Sequence, residues 1–232
     1  MAFYTAINFV IVWFFLKETI PEMNPQAMHK KHFMRNYLTL IKSPVFMGYV
    51  GCGVAGFGGL TAYLFLSPFL FQNVLKLSSI EYGWLGIFIA LGLTLGGLSN
   101  SLLIFKIGRH ELLKFGTMIQ GVAGLIMLIL ALFGLLNVSA MMIPMFIYMF
   151  GGGIVFSNAF AGAFHFFSSI AGYAGALYGT LQILGGTAFA IVISFIHASN
   201  QIPLALILIF VGIVNFFFQS LGRSFTLKSE SR

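Results

Sequence analysis

The stretch FGTMIQGVAGLIMLILALFGLLNVSAMMIPMFIYMFGGGIVFSNAFAGAFHFFSSIAGYAGALYGTLQILGGTAFAIVISFIHASNQIPLALILIFVGIVNFFFQSLG, Phe115 to Gly222, runs 108 residues without one Asp, Glu, Lys or Arg. A hydrocarbon layer about 30 Å thick takes roughly 20 helical residues per crossing, so this run must cross it several times. Two shorter neutral runs, Ser43 to Leu75 and Tyr82 to Phe105, lie upstream, with basic residues gathered in the gaps. The pattern is that of an all-α integral membrane protein.

Composition agrees. Hydrophobic residues make up 59% of the chain and charged residues 7%, with 28 Phe in 232 positions; soluble proteins carry roughly a quarter charged residues. A water-soluble core is excluded. The formal net charge of +7 resides in short loops between apolar runs, which argues for membrane loops and against nucleic acid. Cys52 is the single cysteine, so no intramolecular disulfide can form. The first uncharged stretch ends at Lys17-Glu18 without a basic start or a small-residue cleavage site, which argues against a signal peptide.

Polar and Gly/Pro punctuation predicts helices over 2–16, 45–72, 80–105, 112–136, 141–164, 173–197 and 202–222, six full spans behind a short leading one. Ser43-Pro44 supplies an N-cap followed by proline at the first helical position, and Ser78-Ser79-Ile80-Glu81 fits a capping box. Placing 17–43 in the cytoplasm brings Lys106, Arg109, Lys114, Arg223, Lys228 and Arg232 to the same side. Eleven of the twelve basic residues then face inward and only Lys76 faces out, as the positive-inside rule requires. The expected organisation is an incomplete helix over 1–16, a basic cytoplasmic loop over 17–43, a six-helix bundle over 44–222 and a cytoplasmic tail over 223–232. Its opening apolar stretch reads as the end of a longer structure. Within the loop, Lys30, Lys31, Arg35 and Lys42 alternate with Met28, Phe33, Met34, Tyr37, Leu38 and Ile41, a pattern open to two readings: a surface segment on anionic lipid or a solvated linker.

No Asp, Glu, Lys or Arg falls within the neutral runs that form the bodies of the six spans, Glu81 and Lys114 standing at span ends, so the usual intramembrane marker of a proton relay is missing. Neutral polar residues are the candidates. Asn158 follows Gly151-Gly152-Gly153 at mid-span, where it lines a midplane cavity or makes an interhelical hydrogen bond. Gln182 lies one turn after Tyr178, so both project from one face, at a cavity edge or in packing. Asn100 reads as a packing amide. The 27 glycines recur at four-residue spacing in Gly51, Ala55, Gly59, in Gly92, Gly96, and in Ala171, Gly175, Gly179, which permits close helix approach or, alternatively, sliding. His165 and His197 at helix ends, and His29, His32 and His110 in loops, lack carboxylate or Cys partners at ligand spacing, so neither a metal site nor a cofactor site is expected. No nucleophile with a base and no phosphate loop is present, and an enzyme is not expected. Gly58-Gly59 and Gly151-Gly152 each open an aromatic and polar cluster, as two inverted three-helix repeats would.

Several segments in register resemble the C-terminal half of a Bcr/CflA-type multidrug transporter of the major facilitator superfamily. Leu16-Lys17-Glu18-Thr19-Ile20 resembles the end of the family's sixth helix. Ala62-Tyr63-Leu64-Phe65-Leu66-Ser67-Pro68-Phe69 is similar to its Tyr…Ser-Pro-Phe stretch in the seventh. Gly151-Gly152-Gly153 with Ser157-Asn158-Ala159 resembles the tenth, where Ser157 replaces a usual proline. Ala171-Gly172-Tyr173-Ala174-Gly175-Ala176-Leu177-Tyr178-Gly179-Thr180-Leu181-Gln182 resembles the entry to the eleventh. Lys106-Ile107-Gly108-Arg109-His110 resembles the basic gating turn of the superfamily, with Phe105 where an Asp often stands.

The resemblance implies proton-coupled efflux of amphipathic drugs across a bacterial inner membrane. Its substrate face would take Tyr63, Ser67, Phe57, Thr61, Phe156, Asn158, Tyr178 and Gln182, and its cytoplasmic gate Lys106, Gly108 and Arg109. The proton carrier would belong to an N-terminal six-helix half, which this chain lacks as a partner. The alternative is a non-transporting fragment or packing subunit from a split gene.

Overall fold

A computed structural model of the chain describes residues 2–15, 30–196 and 198–230, with side chains over 5–14, 32–196 and 198–221. The helices are α1 (Ala2–Phe15), α2 (Lys30–Lys42), α3 (Pro44–Pro68), α4 (Ser79–Ile107), α5 (Arg109–Leu132), α6 (Val138–His165), α7 (Ala171–Ser194) and α8 (Ile202–Glu230). The described residues contain no strand. The chain divides into two compact units, Met1–Arg35 and Asn36–Arg232. In the first, α1 exposes Phe9, Trp13 and Phe14. The second holds six helices long and apolar enough to cross a membrane; the protein is a multi-pass membrane protein.

Local chemistry sets the ends. The Ser43 hydroxyl accepts from the Phe46 N–H at 3.3 Å and Pro44 occupies the first helical position, which starts α3. Ser78 and Glu81 cap α4 reciprocally: the Ser78 N–H donates to the Glu81 carboxylate at 2.8 Å and the Glu81 N–H to the Ser78 hydroxyl at 3.3 Å. Several predicted bounds shift for identifiable reasons. Pro68 has no N–H to continue the ladder, so α3 passes into a π-helical turn over Phe69–Val74 instead of ending at 72. Gly108, at φ +85°, turns the chain so sharply that α5 begins at Arg109 rather than 112. The Asn137 side chain accepts from the Ala140 N–H at 2.8 Å and draws the start of α6 forward to 138.

Two differences are larger. The 17–43 segment, expected as a loop, contains α2, because KKHFMRNYLTLIK has neither Gly nor Pro and presents Leu40 to the core while Met34, Leu38 and Ile41 stay exposed. The 223–232 segment, expected as a tail, continues α8 as far as Glu230. The Leu16 to Ile20 motif, His29 and His197 lie outside the described residues, as do the side chains of Arg223, Lys228 and Arg232.

The packing pattern is twofold. α3 packs on α8, α7 and α6; α6 packs on α5, α4 and α3; α5 packs on α8. Exchanging the triplet α3-α4-α5 for α6-α7-α8 reproduces that pattern, as inverted repeats require. α3 and α6 form the interior, 61% and 67% of their apolar windows being buried, whereas α4 and α7 are only 17% and 22% buried.

Backbone contact holds the layers together. A Cβ on Gly96 would collide with the Phe150 carbonyl of α6, and one on Gly153 with the Leu93 carbonyl of α4. Gly116 and Gly151 face each other between α5 and α6, each Cβ position 3.0 Å or less from the other's carbonyl oxygen. The adjacent Gly97 has open space where its Cβ would lie. Substituting Gly96→Ala should therefore destabilise the bundle by about 1–3 kcal/mol through overpacking against a backbone that cannot rotate away. Gly97→Ala should be neutral or slightly stabilising, since its Cβ would meet open space and a helical Gly is about 1 kcal/mol worse than Ala. Thermal melts of the two variants in detergent should separate them.

Candidate functional site

The predicted polar residues of α3 have assigned partners. Ser67, fully buried, shares a 2.8 Å hydrogen bond with the Tyr82 hydroxyl of α4. Tyr63, 3% exposed, donates to the Met142 sulfur of α6 at 3.5 Å. Thr61 donates to the Phe57 carbonyl one turn back at 2.9 Å. Phe57 and Thr61 both face α7, where Gly186 makes room for them. Tyr178 of α7 reaches the α3 backbone at Gly53 and meets Phe160 edge-on, ring centroids 5.5 Å apart. Gln182 is half-buried on the same helix.

Of the two readings of Asn158, the geometry supplies the hydrogen bond. Its side-chain N–H donates to the Asn100 oxygen of α4 and to the Ile154 carbonyl, and the residue is 1% exposed. The amide pair ties α6 to α4 beside the Gly96 and Gly153 contact.

Sequence reasoning missed a second pair. Gln120, midway along α5, and Asn215, midway along α8, are both fully buried, and the Asn215 N–H donates to the Gln120 oxygen at 2.8 Å. These helices are exchanged by the internal twofold, so the bond spans that axis. Each amide keeps one atom unpartnered among the described residues: the Gln120 nitrogen and the Asn215 oxygen. The Gln120 nitrogen points between α3 and α6, 3.4 Å from where Gly56 would carry a Cβ and 3.5 Å from that of Gly152. The half-buried Phe156 ring closes the same opening. Tyr148 donates to the Gly56 carbonyl at 2.9 Å, and the Cys52 thiol reaches the Asn215 carbonyl at 3.5 Å. One signal could have found this layer: Gln120 and Asn215 are each an amide midway along an apolar helix, where a polar side chain is costly without a partner.

The eight predicted substrate residues thus distribute over four places rather than one enclosed pocket. Phe57 and Thr61 meet α7, which carries Tyr178 and Gln182; Tyr63 and Ser67 sit in the α3/α4/α6 core, Asn158 joins Asn100, and Phe156 covers Gln120. Four surface clefts open elsewhere, the largest about 600 Å³ between α7 and α8 and lined by Phe189, Ile193, Ile196 and Phe210 among others. None of the four is lined by a predicted substrate residue. At the basic end, Lys106 is exposed, Gly108 makes the turn, and half-buried Arg109 opens α5 with its Nε unpartnered among the described residues. Among the described residues no three His, Cys, Asp or Glu side chains gather as a metal site would need.

Three-helix repeats exchanged by a twofold around two interior helices, with buried amides between them, make an all-α six-helix membrane bundle. The sequence profile of the Major Facilitator Superfamily matches residues 1–190, and the chain belongs to that superfamily. It is 29% identical over 208 residues to Multidrug resistance protein D of Escherichia coli (strain K12), covering 88% of this chain and 51% of that protein. It is 22% identical over 194 residues to a Bicyclomycin resistance protein homolog of Haemophilus influenzae, covering 84% of this chain and 48% of that protein. The chain therefore spans about half the length of these relatives, both named for drug resistance, in keeping with the Bcr/CflA-type resemblance.

The buried amide pair gives a test. Asn215→Leu leaves the whole Gln120 amide without its partner and should cost about 1–3 kcal/mol, whereas Gln120→Leu with Asn215→Leu should cost less than the two singles added. A double-mutant cycle on detergent unfolding measures the difference.

Proposed function

We propose that the chain is the C-terminal half of a proton-coupled multidrug exporter, working beside an N-terminal six-helix half in a bacterial inner membrane with its C-terminus in the cytoplasm. The observation that carries this reading is the inverted-repeat bundle with α3 and α6 at its centre, in a chain matching half the length of drug-resistance relatives. Transporters of nested three-plus-three architecture bind near the midplane at repeat interfaces and rock one bundle against the other.

In this reading α3, α6 and α7 present the substrate face. Phe57, Phe156 and Gln182, all half-buried, offer aromatic surface and an amide to an amphipathic drug, which suits pockets that are mostly apolar with a few polar groups. Tyr178 and Thr61 flank them, while Tyr63, Ser67 and Asn158, whose hydrogen bonds are spent on neighbouring helices, hold the face in shape. The apolar side chains exposed on α4 and α7, such as Leu91, Leu95, Ile183 and Ile191, would meet lipid and the N-terminal half. Lys106, Gly108 and Arg109 would form the cytoplasmic gate, and α2 would lie along the inner leaflet. No acid lies between Tyr82 and Phe105 or between Phe115 and Gly222, so the proton carrier would be in the other half.

Drug susceptibility tests the proposal. Cells making this chain together with an N-terminal half should tolerate more drug than cells making either alone, and dissipating the proton gradient should abolish the gain. Phe156→Ala and Gln182→Ala should reduce export at unchanged membrane abundance. Resistance conferred by this chain alone would contradict the two-half account, and no resistance from the pair would favour a packing subunit.

A further inference from the structure

The basic end of the bundle carries a cleft outside the proposed substrate face, beside the residues proposed as the cytoplasmic gate. It opens between α4 and α5 beside the Gly108 turn, holds about 400 Å³, and is walled by Leu103, Ile107, Phe115 and Met118, with Glu111 and Lys114 at its rim. Phe115 and Met118 are 54% and 48% exposed, so the walls face out of the protein. Met118 also borders a second furrow of about 400 Å³ between α5 and α8, whose floor includes Gly121 and Gly212 and which reaches Leu125 and Ile213. The two furrows flank the α5 ridge at Met118 and meet at the level of the last charged side chains before the neutral run.

Charge decides the occupant. Lys106, Arg109 and Lys114 stand at this end against one carboxylate among the described side chains, Glu111. None of the four makes an ion pair among the described residues, and Lys114 is half-buried against the cleft. Unneutralised ammonium groups at headgroup depth, above two apolar furrows, complement a diacyl lipid whose phosphodiester carries a net negative charge. A zwitterionic headgroup brings its own cation and loses most of that attraction. Basic recesses between transmembrane helices are sites of this chemical kind. Glu111 would accept from headgroup hydroxyls and repel a headgroup carboxylate, which favours a hydroxylated anionic headgroup.

We propose that the α4/α5 cleft is a binding site for an anionic phospholipid, its phosphate on Lys114 at the rim, with Lys106 adding charge from beside the lining residue Ile107, and its acyl chains in the furrows on either side of Met118. The site lies outside the proposed substrate face and does not depend on the transport reading.

Lipid-selective quenching tests this on the full chain. The two native tryptophans, Trp13 and Trp84, are replaced by Phe, and Phe115→Trp reports from the cleft. The protein is reconstituted in vesicles of phosphatidylglycerol and phosphatidylcholine, with brominated chains on one lipid at a time. Brominated phosphatidylglycerol should quench beyond its mole fraction, and Lys114→Gln should cut the enrichment about fivefold, the factor for roughly one cation near a charged membrane. Lys114→Arg should retain it, and Met118→Trp should repeat it. Trp84 alone, near the opposite end of α4, should report the bulk mixture. Equal quenching by both lipids at position 115, or an enrichment untouched by Lys114→Gln with Lys106→Gln, would overturn the proposal. Circular dichroism confirms that each variant remains helical, and transport plays no part in the readout.

Discussion

Lipid offers a helix neither a hydrogen-bond partner nor a hydrophobic reason to prefer protein over hydrocarbon. Every feature of the bundle follows from that constraint. Backbone groups must be satisfied within helices, so the chain is helical throughout its spans. Helices must be held by dispersion and by interhelical hydrogen bonds, so they approach until backbones touch. The Gly96 and Gly153 contact between α4 and α6, and the Gly116 and Gly151 contact between α5 and α6, are where this happens. Near the same depth, Asn100 bonds Asn158, and Gln120 bonds Asn215.

Those contacts also explain why the interior is layered. One apolar cluster gathers Leu66, Leu70, Phe71, Met141 and Leu204; a second gathers Leu40, Phe46, Val155 and Ala174. Gln120, Asn215, Gly56 and Gly152 occupy the level between them, on the axis that exchanges the two triplets. Phe156 lies beside the unpartnered Gln120 nitrogen at the opening between α3 and α6.

Span number and type were legible because a charge-free run has only one solution in lipid. Caps were legible where one residue decides them, as at Ser43 and at Ser78 with Glu81. Twofold packing was foreshadowed by Gly58-Gly59 and Gly151-Gly152. Less visible were features that depend on two distant segments at once. The Gln120 and Asn215 bond joins residues 95 apart, and nothing local marks either as the other's partner. The helix α2 was hidden by its charge, since Leu40 shows its purpose only when the core it enters is known. The π turn after Pro68 illustrates the same limit: the missing N–H is readable in the sequence, but that the chain continues past it as a π turn over Phe69–Val74 is not. The resemblance points to Tyr63 and Ser67, and the cost of a polar group in lipid to Asn158, but their partners lie on α4 and α6, beyond the reach of local spacing.

The account rests on six spans arranged as inverted triplets with their basic ends together. Single cysteines introduced into a Cys52→Ala background, labelled from one side of intact membranes with an impermeant maleimide, measure it directly. Ser78, Asn137 and Asn200 positions should label from one side, and Lys106 and Ser168 positions only from the other. Labelling of Lys106 and Ser168 positions from opposite sides would break the alternation of α4 through α7, and with it the inverted-repeat bundle.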